Sequence, residues 1–364
     1  MGWRLEPRLD NGSSGGLFVS AASLFAALVA GGLLMALLGV NPLQAYTEIF
    51  SGSLGSAYGL SETVVKAIPL TFTGLACLIA FRMLIWNIGA EGQLCMGAIA
   101  TVAAVRYFPV ENSAVMLFIL FVSACIAGGL WGAIPGFLRA KWNVNEIIAT
   151  LMMNYIAINF MDYLLYGPWK DPASMGFPMT TPFPDFARLP VLIAGRIHLG
   201  IVIALVISGI LWLILRKLSW GYEIRAIGEN AKGAHYAGIN IMRNILLVMF
   251  LSGAIAGLAG MGEVAGLQGR ISRGFSVGYG YTGIIVAWLA RLNPLAVPFV
   301  AFLMAILLVG GDTIQVVMRL PLSSVLILQG LILFGVLAGD VLSRYQVKRT
   351  HPICPTKGEK PWKP

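Results

Sequence analysis

Charge is what this sequence has least of. Of 364 residues only 25 are Lys or Arg and 16 are Asp or Glu, 11% together, where an ordinary soluble domain carries about 25%. So few charges cannot cover a water-exposed surface, and those present are clustered, leaving long apolar runs between them. The three histidines, His198, His235 and His351, are scattered, which argues against a zincin-type metal site. The four cysteines never stand at Cys-x-x-Cys spacing, so neither a metal knuckle nor a disulfide framework is expected. Cys77, Cys95 and Cys125 fall in apolar runs and read as small packing residues, while Cys354 is in a polar tail. No Gly-Lys dipeptide occurs, which excludes a P-loop and a conventional ATP site in this chain. No hydrolase nucleophile elbow is read either. The bundle is expected to move something rather than react it; a membrane enzyme with an unfamiliar site is the remaining class.

What is abundant is apolar. Hydrophobic residues make up 58% of the chain, 43 residues are glycine and the mean hydropathy is +0.81. Runs of about 20 apolar residues match the ~30 Å hydrocarbon layer, and small residues let helices approach closely in lipid. Ten such segments can be marked, at 17–40, 64–81, 88–105, 113–138, 147–166, 199–215, 244–265, 274–290, 292–311 and 320–339. The expected fold is an all-α integral membrane bundle of about ten transmembrane helices. The first segment is too long for a signal-peptide core and is read as a retained span. The third carries Glu91 and is expected to be broken or re-entrant. The eighth and ninth, separated by little more than Arg291, should form a tight hairpin.

Orientation follows from the basic residues. With both ends inside, 17 Lys and Arg fall on the cytoplasmic side, 7 outside, and Lys66 lies within a span. The expected organisation is a cytoplasmic N-terminal tail (1–16), a transmembrane domain (17–343) and a cytoplasmic C-terminal tail (344–364) that looks disordered. Within the domain, a proline-rich outer loop at 167–198 should be an irregular lid. A polar, proline-free inner loop at 216–243 should form one or two short amphipathic helices. The net charge of +9 is accounted for by this bias. No basic surface with interleaved aromatics is present, so nucleic acid is not an expected partner.

Two polar constellations interrupt the apolar runs. In Trp86-Asn-Ile-Gly-Ala-Glu-Gly-Gln93, Asn87, Glu91 and Gln93 stand where lipid should be, and a carboxylate inside a span costs at least ~2.5 kcal/mol. Asn87 and Glu91 are four apart and would share a helix face. They serve either as a polar lining or gate, or as glue between helices near the cytoplasmic surface. In the fifth segment, Tyr155, Asn159, Asp162 and Tyr166 lie on one helical stripe with Asn154 beside it. Such groups can stack on and hydrogen-bond a heterocycle or sugar, or simply bond neighbouring helices. Glu146 starts that helix as a cap or favours its positive end. Glu263 is expected to meet Arg270 or Arg273 if it does not meet substrate.

Residues 87–93 resemble the N-I-G-x-E-G-Q signature of ABC-transporter permeases of the branched-chain amino acid, simple sugar and nucleoside importer superfamily. The stretch Gly221-Tyr-Glu-Ile-Arg-Ala-Ile-Gly-Glu-Asn-Ala-Lys-Gly-Ala-His-Tyr-Ala-Gly238 resembles that family's main cytoplasmic loop, which docks on the ATPase. The stretch Asn143-Val-Asn-Glu-Ile-Ile-Ala-Thr-Leu-Met-Met-Asn-Tyr-Ile-Ala157, with Gly167-Pro-Trp-Lys-Asp-Pro172, is most similar to the subgroup working with basic-membrane-protein-type binding lipoproteins.

The resemblance implies a bacterial inner-membrane permease importing nucleosides or purines, with a simple sugar or other small polar solute as the alternative cargo. It implies a second permease of the same or a related chain, two ATP-binding domains that hold the ATP and Mg, and a substrate-binding lipoprotein. No cofactor is expected in this subunit. Gly221, Glu223, Arg225, Gly228, Glu229 and Asn230 are the expected coupling residues. Asn87, Glu91, Gln93, Asn154, Tyr155, Asn159 and Asp162 are the candidates for the solute route. The rival class is an ion-coupled secondary transporter, for which only Glu91 and Asp162 could carry the ion.

Overall fold

In the computed structural model the described residues are 2–7, 13–37, 39–192, 195–275, 277–321, 323–327, 330–331, 334–335, 338–339 and 345–350. They form two units, residues 1–47 with 314–364, and residues 48–313.

In the first unit, strand β1 (Gly2–Pro7) pairs antiparallel with β2 (Tyr345–Thr350), Gly2 opposite Thr350 and Pro7 opposite Tyr345. The C-terminal tail was expected to be disordered. Part of it instead satisfies its backbone in this ribbon, and residues 351–364 lie outside those described. Helix α1 (Ser13–Leu37) follows β1. The next helix, α2 (Pro42–Leu54), begins on a proline whose missing N–H costs nothing at a first position. The axis turns by 114° between Leu28–Leu37 and Pro42–Leu54, and the Tyr46 hydroxyl donates to the Leu28 carbonyl across the corner at 2.5 Å. Hydropathy does not mark α2, because Gln44, Thr47, Glu48 and Ser51 dilute it.

The second unit is a helical bundle, with two isolated bridges at Met179–Ser272 and Val191–His198. Its helices are α3 (Ala57–Arg82), α4 (Ala90–Tyr107), α5 (Ser113–Trp142), α6 (Glu146–Tyr166), α7 (Gly200–Lys217), α8 (Ser219–Glu229), α9 (Ala231–Tyr236), α10 (Ile241–Met261) and α11 (Tyr279–Leu289). Helix α12 (Val297–Val317) runs from it into the first unit. Helix α3 is its axis: every residue from Ala67 to Phe81 is buried, as expected of a helix apolar on all sides. It starts at 57 rather than 64 because the Ser56 hydroxyl caps it, accepting from the Gly59 N–H at 3.0 Å.

Helix α10 packs on α3, α4 and α5, with glycines at the crossings. A Cβ at Gly257 would collide with the Ala124 carbonyl of α5, and one at Gly97 of α4 would collide with Gly257 itself. Three helices therefore meet backbone to backbone, where dispersion rather than water drives association.

Among the described residues six helices are long and apolar enough to cross a membrane, and the bent α1–α2 pair is a seventh candidate. Helix α4 is only 18 residues and carries Glu91, Gln93 and Arg106. Helix α11 is 11 residues, about 16 Å of axial rise, half the hydrocarbon thickness. The segment 320–339 is only partly described. The chain turns at Arg291: Arg291 and Leu292 adopt left-handed φ of 50° and 53°, and Asn293 caps a short Pro294–Ala296 turn into α12.

Candidate functional site

The chain leaves α3 at Arg82 and turns back into the bundle instead of crossing it. Leu84 takes a φ of 55° in that turn, and α4 starts at Ala90, inside. On the opposite approach, residues 269–275 and 277–278 run in without helix, and α11 starts at Tyr279. The two helix N-termini meet. Glu91 accepts from the Gly278 N–H at 3.1 Å through one oxygen and from the Gly280 N–H at 2.6 Å through the other. The carboxylate thereby caps α11 and sits at its positive end. Gly280 is required here, because a Cβ would strike the Glu91 backbone.

Asn87, expected on a helix with Glu91, precedes α4 and lies in the turn. Its amide pairs with that of Gln93: Asn87 Nδ2 donates to Gln93 Oε1 at 3.0 Å and Gln93 Nε2 donates to Asn87 Oδ1 at 3.1 Å. Asn87 Nδ2 also donates to Ser252 Oγ at 2.8 Å, and Asn87 Oδ1 accepts from the Gly89 N–H at 2.9 Å. Ser252 Oγ passes the chain on to the Ala76 carbonyl at 2.6 Å. From α6, Asn154 accepts from the Gly92 N–H at 2.8 Å and donates to the Ile88 carbonyl at 2.9 Å and to Tyr281 Oη at 3.3 Å. Asn87, Glu91, Gln93 and Asn154 are all buried. This cluster ties α3, α4, α6, α10 and α11 together and satisfies the backbone groups that the break in the helix exposes. Ser252, Tyr281 and Thr150, whose hydroxyl accepts from the Ile88 N–H at 3.3 Å, were not expected. A lone hydroxyl inside an apolar run gives no signal of which helix it faces.

The stripe on α6 lies on a different face. Asn154, Ala157, Met161 and Leu165 turn inward, whereas Tyr155, Asn159 and Tyr166 are exposed and Asp162 is half-buried. The Asn159 amide donates to the Tyr155 carbonyl at 2.7 Å, within the helix, and to no other helix. Glu146 is paired with Arg139 at 3.3 Å, and the helix cap is Asn145, which accepts from the Ile147 N–H at 2.9 Å.

Helices α8 and α9 make up the middle of the 216–243 loop. Gly221, Ile224, Ile227 and Ala234 face the bundle, while Tyr222, Glu229, Asn230, Lys232 and Tyr236 face away from it. Glu223 accepts from Asn244 Nδ2 at 2.8 Å, and Trp220 donates to Asn244 Oδ1 at 2.8 Å. Arg225 donates to the Leu215 carbonyl. Asn230 caps α9, accepting from the Gly233 N–H at 3.0 Å. Gly228 lets α8 touch the end of α3: a Cβ there would come within 2.5 Å of the Arg82 carbonyl. Arg82 in turn holds the Leu292 carbonyl through two donors at 3.0 and 2.7 Å. Helix α8 thus abuts the end of α3, which is itself bonded to the α11–α12 turn.

Among its described residues the 167–198 loop has no helix beyond one short turn, Asp185–Ala187, as its prolines predict. It is nonetheless tied to the 265–271 segment: the Thr180, Phe183 and Leu189 N–H groups donate to the carbonyls of Ile271, Gly269 and Ala265 at 2.9, 2.7 and 2.9 Å. Glu263 meets neither Arg270 nor Arg273. It accepts from Gln268 at 3.4 Å, while Arg270 reaches Met179 and Arg273 lies over the Tyr166 ring. Glu263 lies in the π-helical turn Gly262–Gln268 and is buried. The string Gly274-Phe-Ser-Val-Gly278 does have Gly-x-Ser-x-Gly spacing, contrary to the reading that no elbow occurs. Ser276 is outside the described residues, and among the described residues before it there is no strand of the kind that leads into a nucleophile elbow.

His198, just before α7, is buried, and its Nδ1 accepts from the Gly200 N–H at 3.1 Å. Burial pushes its pKa down to about 4 from 6.5. The unfolded chain therefore binds a proton more readily than the folded one. This contribution is fully present above pH 6.5 and is lost as pH falls towards 4, a span worth about 3 kcal/mol. Melting of the purified protein should shift downward between pH 7 and 4.5, and less in His198→Asn, which keeps an acceptor for Gly200 and cannot titrate. Equal shifts in both proteins would refute the assignment.

Residues 59–337 match the family model described as the branched-chain amino acid transport system / permease component. The chain belongs to this family. It is a transmembrane permease subunit of an ABC transporter. The glucose ABC transporter permease protein TsgB13 of Haloferax volcanii is 36% identical over 89% of this chain and 88% of its own length. The guanosine ABC transporter permease protein NupP of Bacillus subtilis is 34% identical over 84% of this chain and 88% of its own. The nucleoside ABC transporter permease protein NupB of Lactococcus lactis is 30% identical, with 77% of this chain and 80% of that one covered. The branched-chain, sugar and nucleoside group implied by the 87–93 and 221–238 motifs is thus the right one. An ion-coupled secondary transporter is excluded by membership of an ABC family.

Proposed function

We propose that this permease imports nucleosides, purine nucleosides first, through a route along the exposed stripe of α6. The observation that carries the route is the exposure of Tyr155 and Asn159, with Asp162 half-buried beside them, on a helix of transmembrane length. Amides and carboxylates do not face lipid, so this side meets water or a second permease subunit. The buried Asn87, Glu91, Gln93 and Asn154 form the wall behind it and hold the helix break in register. The cargo assignment is supported by two relatives whose names specify guanosine and nucleosides; a sugar is the second reading, favoured by TsgB13.

The remainder of the machine follows the same reading. The permease works in a bacterial inner membrane with a second permease, two ATP-binding domains carrying ATP and Mg, and a binding lipoprotein on the outer side. About ten spans bring both tails, and α8 with α9, to the cytoplasmic side. The pairing of β1 with β2 supports an even number of crossings. In a cysteine-free background, a cysteine at Tyr236 should react with an impermeant reagent only after the cells are opened. Reaction in intact cells would reverse the topology.

ATP-driven uptake tests cargo and coupling together. The complete complex in proteoliposomes should accumulate a purine nucleoside. Gly228→Val, which lifts α8 off the end of α3, should cut uptake by roughly tenfold or more while the complex stays assembled; overpacking of this kind costs about 1–3 kcal/mol. No nucleoside uptake by the unaltered complex defeats the cargo assignment. Undiminished uptake by Gly228→Val defeats the coupling assignment.

A further inference from the structure

The inner half of this face carries a second feature, which rests on the reading of the α6 side as the route. On α11, Tyr281, Ile285 and Trp288 are spaced four and three apart and lie on one side of the helix. Tyr281 is exposed and the other two are half-exposed, while Gly283, Val286 and Ala287 on the opposite side are buried. Trp288 continues into an aromatic group built by the turn before α4. Its ring centroid is 5.7 Å from Trp86 and 5.9 Å from Phe81, and Phe81 is 5.2 Å from Trp86. Phe81 is buried whereas Trp86 is 40% exposed, so Phe81 backs the indoles and leaves Trp86 a free surface. At its other end the line meets α6, where Tyr281 Oη accepts from Asn154 Nδ2 at 3.3 Å. Tyr281, Trp288 and Trp86 thus continue one another, about 10 Å separating Tyr281 from Trp288 along the axis.

We propose that Tyr281, Trp288 and Trp86 form a stacking track for the planar base of the solute in the inner half of the route. Aromatic rings hold a base through its π face without choosing among bases, and successive rings offer it several similar positions instead of one deep site. That suits a conduit that must release what it takes. The hydrogen-bonding groups nearby, Asn159 and Asp162, stand on α6 where a ribose or a base edge can reach them. A sugar has no π system to present to these rings.

The test uses the complete complex in proteoliposomes with a purine nucleoside as cargo. Trp288→Leu should slow uptake roughly tenfold, in keeping with base–aromatic stacking, without lowering the melting temperature. Trp288→Phe, which keeps a π face, should lose clearly less. Trp86→Leu should act in the same direction as Trp288→Leu. Equal losses in the Leu and Phe variants, or a loss accompanied by early melting, would make the tryptophan an interfacial anchor or a packing group and overturn the track. So would wild-type uptake in Trp288→Leu. If the unaltered complex carried sugars and no nucleoside, the cargo assignment would fall and the track with it; failure of the variants alone removes only the track.

Discussion

Glu91→Ala should undo the junction where α4 and α11 begin. The carboxylate is buried and accepts two backbone N–H groups, from Gly278 and Gly280. Alanine leaves both donors without their partner in an apolar interior, at the first turn of a helix only 11 residues long. Hydrogen bonds to a charged group are worth about 1.5–3 kcal/mol each, so a loss of roughly 3 kcal/mol or more is expected. Glu91→Gln keeps one acceptor but turns an amide N–H₂ towards the other donor, and should fall between. Melting of the complex in detergent reads this out. The α6 residues should behave in the opposite way. Asn159→Ala and Asp162→Asn should slow turnover and leave melting unchanged, because their side chains bond no neighbouring helix. If Glu91→Ala melted normally and lost only transport, the carboxylate would belong to the route. If the α6 variants melted early and transported normally, the stripe would be structural.

Gly257→Val should give no assembled permease. The residue lies where α10 crosses α5 and α4, and a Cβ there strikes the Ala124 carbonyl. No rotamer relieves a clash between a Cβ and a backbone, so the helices must separate. Overpacking of a close-packed site costs about 1–3 kcal/mol where side chains can yield; here backbones must move, and the loss should exceed that range. Gly209→Val is the control, since a Cβ at Gly209 on α7 meets nothing. Yield and monodispersity of the two proteins from membranes should differ sharply. Normal yield of Gly257→Val would show that the α5–α10 crossing is looser than described.

These expectations separate what could be read along the chain from what could not. The α6 stripe was legible, because polar residues at helical spacing in an apolar run define a face whatever the helix packs on. Helices α8 and α9 were legible for a similar reason: a polar, proline-free stretch between spans has amphipathic helix as its lowest-energy form. The irregular course of the 167–198 loop followed from its prolines, though not its backbone bonds to the 265–271 segment, since carbonyls carry no sequence signature.

Glu91 shows the limit most clearly. Its cost in lipid announced a special position, but two readings, lining or glue, fitted equally well. The partners that decide its surroundings are backbone N–H groups 187 and 189 residues away in sequence, and every residue has such a group. Helix α11 was likewise drawn as a full span from 274, because hydropathy counts apolar residues and is blind to a backbone that enters the bundle unwound. Composition and periodicity, which depend on solvent, determined that this chain crosses a membrane and which faces are polar. Only the tertiary structure decided where two helix N-termini meet and which carboxylate closes them, because that depends on distances between segments that sequence order does not bring together.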